Sequence, residues 1–268
     1  MSIVQILMFS FLGLLLFVYI FNFIIEPLYV LVFNKPLYIH GYLKLKKLST
    51  AQKSILSREF TFYIKLPQKY KVYFEHRVAS FLANYQIVGK DSFELADRSK
   101  VLIASTYVML TFGMRRYLIT VFNKIVVYPE SYLSQITGEY HKGEFNPGLK
   151  IIVFSWTDFE EGFRFENDNL NLGLHEFSHA LYFHGLKGKD QSSVFFSDEY
   201  TKLQKYLVEP DILERLIESN YFRIYAYTNQ VEFFAVVLEH FFETPAIFNR
   251  EFPELYAIIK KMINHKNY

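Results

Sequence analysis

The sequence predicts an α+β domain behind one membrane-spanning helix, on three observations. Residues 3–25 (IVQILMFSFLGLLLFVYIFNFII) form an apolar run without a charged side chain. Two β-branched and aromatic runs, 125–128 (IVVY) and 149–156 (LKIIVFSW), lie mid-chain. Most of the remainder places apolar residues at helical spacing. Strands in the middle with helices around them make an α+β arrangement. Composition narrows the function classes. The 268 residues carry 29 Lys+Arg against 27 Asp+Glu, a net charge of +2, with 51% hydrophobic residues. That near-balance provides no single-sign field to gather phosphates, so direct nucleic-acid binding is not expected. The chain has no cysteine. A disulfide scaffold, a thiol nucleophile and Cys-ligated metal are therefore excluded, and any metal must be held by His, Asp or Glu.

The apolar run is longer than the roughly 20 helical residues that cross a bilayer core. It lacks the basic n-region and small-residue cleavage site of a secretory signal. Residues 1–26 read as a membrane anchor, 27–50 as a juxtamembrane linker interrupted by Pro27 and Pro36, and 51–268 as one domain. No Lys or Arg precedes the span, whereas Lys35, Lys44, Lys46 and Lys47 follow it. The positive-inside rule then places the domain on the cytoplasmic side of the cytoplasmic membrane. Within the domain, Phe74, Val78, Phe81, Leu82 and Tyr85 predict a helix with Gly89 as its stop. Residues 97–112 predict a second helix, with Asp97 as N-cap and Gly113 as terminator. The two β-branched runs are the strands, and after residue 168 the chain reads mainly as helices.

One constellation carries chemistry. His175-Glu176-Phe177-Ser178-His179 is an HExxH sequence inside DNLNLGLHEFSHALYFHG, with Asn and Asp at the start of a predicted helix and Gly185 at its stop. On a helix, positions i and i+4 share a face, so the two imidazoles can converge on one tetrahedral ion. Glu176 projects about 100° away from His175, beside such an ion rather than onto it. There it can accept a proton from a water that the ion acidifies. Two ligands do not make a site, so a third is required. The metzincin continuation fails, because its Gly and His places hold Tyr182 and Gly185. A carboxylate from a later helix remains, and Glu199, Glu209, Glu214, Glu218, Glu232 and Glu239 are all candidates. Glu232 stands out because it opens an apolar helix, VEFFAVVLEHFF, where an unpaired carboxylate is costly. The competing reading is a capping box, Asn229-x-x-Glu232, with the Glu bonding back to its own N-cap. His184 and His240 read as non-ligands.

HEFSHAL, NQVEFFAVVLEHFFETP and FPELY, together with upstream YFEHRVASFLANYQIVG, ADRSKVLIAS, IVVYPESY and VFSWTDFEEG, resemble the Mlc titration factor A family of zinc peptidases over roughly residues 51–262. The resemblance implies a zincin-like, gluzincin-type metallopeptidase domain related to the catalytic domain of anthrax lethal factor. It implies one Zn²⁺ per chain held by His175, His179 and Glu232, with Glu176 as general base. It also implies that Tyr225, seven residues before the third ligand, steadies the tetrahedral intermediate; Tyr227 is the neighbouring competitor. Peptide or protein substrates follow, with aminopeptidase-like action suggested by the family. A repressor-sequestering role toward an Mlc-like partner is the alternative function. One departure stands out. The family follows HExxH with a short stretch ending in Asp, where this chain has Ala180, Leu181 and Tyr182. Glu239, two turns beyond Glu232 on the same face, is available to orient a histidine in place of that Asp; a surface charge is the other reading. The 149–156 strand is a candidate edge for pairing an extended substrate, with an interior strand as the alternative.

Overall fold

The computed structural model describes residues 2–33, 35–134, 137–165 and 167–266. The chain divides into two compact units, one up to Gly41 and one from Tyr42 onward. The first is built on α1 (Ile3–Ile20), a π-helical turn (Phe21–Ile25) and α2 (Glu26–Phe33). Together they make one 31-residue helix, long and apolar enough to cross a membrane, and no apolar side chain along it is buried. An N-terminal signal sequence satisfies the same length and composition test. The helix continues past Pro27, where the sequence predicted a linker. The reason is local. The Glu26 N–H reaches back five residues to the Phe21 carbonyl, and this wider turn takes up the ring and missing donor of Pro27.

The second unit is mostly helical with a small sheet. It contains α3 (Thr50–Glu59), α4 (Thr61–Lys65), α5 (Gln68–Asn84), β1 (Gln86–Gly89), α6 (Asp97–Thr111), β2 (Lys124–Tyr128), β3 (Tyr132–Leu133), β4 (Tyr140–His141), β5 (Gly143–Asn146) and β6 (Ile151–Ser155). There follow α7 (Trp156–Arg164), α8 (Leu172–Lys187), α9 (Gln191–Leu207), α10 (Pro210–Glu218), a 3-10 turn (Ile224–Tyr227), α11 (Gln230–Glu243), α12 (Pro245–Glu251) and α13 (Pro253–Met262). The main sheet has the order β1-β2-β6-β5. Its first three strands run parallel, and β5 is an antiparallel edge. The 149–156 run therefore supplies β6, an interior strand, and the edge beside it is the short, glycine-started GEFN segment.

Three boundaries differ from expectation. Helix α5 ends at Asn84 and Gly89 closes β1 instead. Ala96 rather than Asp97 caps α6. Gly185 lies inside α8 because a Cβ there would stand 2.2 Å from Phe196 Cδ1; only a bare backbone lets α9 pack this close. Residues 42–48, expected in the linker, belong to the domain. Leu48 is in the core, and Tyr42 accepts a 2.6 Å hydrogen bond from Arg77 Nε. The Arg77 side chain is fully buried. Its other nitrogens donate to the carbonyls of Thr111, Phe112 and Met114. The guanidinium thus partners the Phe112 and Met114 carbonyls just past the end of α6 and adds a second bond to the Thr111 carbonyl, which already accepts from the Met114 N–H.

Candidate active site

Helix α8 begins where Asn171 turns its side-chain oxygen onto the Leu174 N–H. The rest of Asn171 is tied down as well. Its amide donates to Gly162 O and Glu243 Oε1, and its backbone N–H donates to Glu239 Oε2. One turn into the helix, His175 and Glu176 are buried, and His179 lies one turn further on with little exposure. Helix α11 packs along α8. Glu232, Glu239 and Glu243 recur at intervals of seven and four residues, so they fall on one face of α11. That face meets α8 and the loop before it, through Glu232 and Glu239 to His175 and through Glu243 to Asn169 and Asn171.

The distances define a compact cluster. His175 Nε2 lies 2.9 Å from Glu232 Oε2, and His179 Nε2 lies 3.6 Å from Glu232 Oε1. Tetrahedral zinc bonds of about 2.0–2.1 Å put ligand atoms about 3.3 Å apart, a value these two separations bracket. Two imidazole nitrogens and a carboxylate are a donor set suited to a divalent transition metal. Glu176 also has an oxygen within 4.8 Å of imidazole nitrogens of both histidines. On its other side it meets β5. A Cβ on Gly143 would stand 2.7 Å from Glu176 Oε1, so glycine sets the approach of the edge strand. Asn229 caps α11 by accepting from the Val231 and Glu232 N–H groups. The Glu232 carboxylate, though, is turned to the histidines rather than back to its own cap.

Burial and charge set the protonation of each group. Burial pulls the His175 imidazole down, but hydrogen bonds to Glu232 and Glu239 outweigh it and lift it to about 9. His179 is pushed down to about 4 by burial and by the neighbouring His175 charge. Burial raises Glu176 to about 7, with Glu232 and Glu144 adding to the rise against the pull of His175. Burial also opposes ionisation of Glu232 and Glu239, yet both stay below the usual carboxylate range through hydrogen bonds with His175, joined at Glu239 by Arg223.

The other expected residues sort cleanly. Tyr225 faces the cluster, with its ring centroid 6.0 Å from that of His175. Burial and the Glu232 charge push its phenol up to about 12. Tyr227 donates its hydroxyl to Leu216 O at 2.8 Å and packs away from the site. Glu199 pairs with Lys202, while Glu209, Glu214 and Glu218 are exposed at or along α10. His184 pairs with Asp190, and His240 packs among Tyr221 and Phe222. Tyr182, standing where the family's Asp is expected, bonds the Tyr200 hydroxyl at 2.7 Å, and Tyr200 donates to Gln230 Oε1. That chain ties α8, α9 and α11 together without touching a histidine. Glu239 does the touching: its Oε1 lies 2.7 Å from His175 Nδ1, and its side chain is 1% exposed. Sequence reading missed Arg223 and Gly143. Arg223 lies in the segment between two helices, and no spacing rule marks either residue.

A cleft of about 590 Å³ opens beside the cluster, bounded by Lys142, Gly143, Asp158, Leu172, Arg223 and Tyr225. The chain is 26% identical, over 225 residues, to an uncharacterized protein of Synechocystis sp., covering 78% of this chain and 81% of that one. The family model of the glucose-regulated metallopeptidases M90 matches residues 39–263. A match over that span, with the His175, Glu176 and His179 cluster inside it, places the chain in the M90 family of metallopeptidases, the family of Mlc titration factor A.

Proposed function

We propose that this protein is a membrane-anchored zinc peptidase with a zincin-like catalytic domain. The observation that carries the reading is the convergence of the His175, His179 and Glu232 donors beside Glu176, beneath a free sheet edge. His175, His179 and Glu232 would hold the ion. Zinc bound there supplies Lewis acidity toward a peptide carbonyl and acidifies a water. Glu176, buried and with a pKa near neutrality, takes the proton of the attacking water and returns it to the leaving amine nitrogen. The Tyr225 phenol stays protonated through the neutral range and donates to the carbonyl oxygen as charge develops on it.

The substrate backbone is held by β5. Glu144 is paired with Val153, and the Ser155 N–H reaches the Lys142 carbonyl. Alternation therefore turns the main-chain groups of Gly143 and Phe145 outward, toward an added strand. An extended peptide pairing there passes Glu176 at its closest point. The long N-terminal helix supports anchoring, and the lysines after it support a cytoplasmic catalytic domain. Aminopeptidase-like action on short peptides fits the same cleft. The repressor-sequestering alternative draws no support from the relatives found.

The test uses the full chain in detergent micelles. Elemental analysis should find about one zinc per chain, lost in His179→Ala and in Glu232→Ala, with peptide hydrolysis lost alongside. A wild-type chain that takes up no zinc after reconstitution would overturn the peptidase reading.

A further inference from the structure

We propose that Arg223 is a positioning residue for the metal centre, fixing His175 through Glu239; the proposal rests on the metallopeptidase reading above. Arg223 sits just before the 3-10 turn that carries Tyr225, and its two terminal nitrogens grip Glu239 as a fork. Nη1 donates to Oε2 at 2.9 Å and Nη2 donates to Oε1 at 2.7 Å. Nη1 also donates to the Asn169 carbonyl at 2.6 Å. Glu239 in turn holds two parts of α8, accepting from the Asn171 N–H and meeting His175 Nδ1. Three elements thus meet at one buried carboxylate.

The donor inventory fixes the histidine. A guanidinium has only N–H donors, and Nη2 lies 3.4 Å from His175 Nδ1. An Nδ1 lone pair in that place would face a carboxylate oxygen at 2.7 Å, which only an N–H can satisfy. Nδ1 is therefore committed as a donor to Glu239, which leaves Nε2, on the side of His179 and Glu232, as the nitrogen that would face an ion. Arg223 holds the carboxylate rotationally locked while it does this. Lysine supplies the charge but not the fork, so the two residues are not equivalent here. His179 offers a contrast within the same cluster, since its Nδ1 is buried with no hydrogen-bond partner among the described residues. Orientation by a buried carboxylate is specific to the first histidine.

The experiment measures zinc affinity of the full chain in detergent micelles by competition with a chromophoric chelator. Wild type is compared with Arg223→Met, Arg223→Lys, Glu239→Gln and the Arg223→Met/Glu239→Gln pair. Losing an outer partner of a metal-bound histidine typically costs about 10–100-fold in metal affinity, and that loss is expected for Arg223→Met and for Glu239→Gln. Arg223→Lys should fall between wild type and Arg223→Met. The double variant should be no weaker than the weaker single, because both changes cut one chain of contacts. The visible bands of the Co²⁺-loaded protein should shift in all four variants. Thermal unfolding in excess chelator identifies any variant that is merely misfolded; if Arg223→Met is, Arg223→Lys carries the comparison. Wild type that binds zinc while Arg223→Met and Arg223→Lys match it within twofold would overturn the role of Arg223 alone. Fully additive losses would also overturn it. Wild type that binds no zinc would remove the metallopeptidase reading itself.

Discussion

His175 is flanked by two buried carboxylates whose surroundings are opposite in character. On its Nδ1 side, Glu239 meets a guanidinium fork and a backbone N–H, and burial fails to keep it from ionising. Along the same helix, Glu176 faces a glycine and other carboxylates, and burial raises it to about 7. Both groups are glutamates within a few ångströms of one ring. The difference lies in what each neighbour donates. A carboxylate surrounded by donors is a fixed anion, suited to holding something still. One that is buried with few donors changes its proton readily, which suits a base working near neutral pH.

Four substitutions test how differently these carboxylates and their neighbours behave. Glu176→Gln should lower kcat/KM by about 10²–10⁴-fold while zinc content stays at the wild-type value. Equal loss of zinc would erase the distinction between the two carboxylates. Next in size, Tyr225→Phe should lower kcat on the order of 10²-fold with zinc retained, since it removes a single donor to the developing oxyanion. An unchanged kcat would assign Tyr225 to packing. Gly143→Ala inserts a methyl 2.7 Å from Glu176 Oε1 and should reduce kcat/KM about 10-fold or more by displacing the base. Its circular dichroism should match wild type.

The smallest effect is in stability. Burial raises Glu243 to about 7 against its hydrogen bonds to Asn169 and Asn171. An acid whose folded pKa is raised keeps its full contribution below its unfolded value, near 4.5, and loses it as pH climbs to about 7. The Glu243 share of the stability of chelator-treated wild type should therefore fall by on the order of 1–2 kcal/mol over that window, after allowance for partial solvent screening. Glu243→Gln should show that much less pH dependence in denaturant melts. Matching curves would mean that Glu243 ionises freely in the fold.

Helix α8 was legible because HExxH, its Asn start and its apolar body agree at every level of pattern. Glu232 was legible only as one of six candidate carboxylates, singled out because a carboxylate opening a run of Phe and Val needs a partner, with a capping box as the competing reading. For Glu239, helical periodicity left two readings, an orienting partner for a histidine and a surface charge, and its burial against His175 fits the first. Arg223 was not legible, since it acts from an irregular segment where neither period applies. Strand β5 escaped for a different reason. GEFN is four residues long, begins with glycine and lacks the β-branched residues that mark a strand. Its neighbour LKIIVFSW has them because it is flanked by strands on both sides, so the stronger strand signal belonged to the interior strand and not to the sheet edge. Pro27 misled in the opposite direction, because a wider helical turn absorbs it.

Gly143 also turns the hairpin arm before it into a ruler. Strand β4 ends at His141, two residues before the glycine, and β5 then pairs residue for residue with β6. Side chains alternate faces along a strand, so sliding β5 by one residue would bring Lys142 or Glu144 to the place where no methyl fits. A one-residue slip of β5 against β6 would thus press a side chain onto Glu176 while leaving His175, His179 and Glu232 in place. The register of a four-residue strand is thus tied to the carboxylate beside it, and nothing in the HExxH motif records that tie.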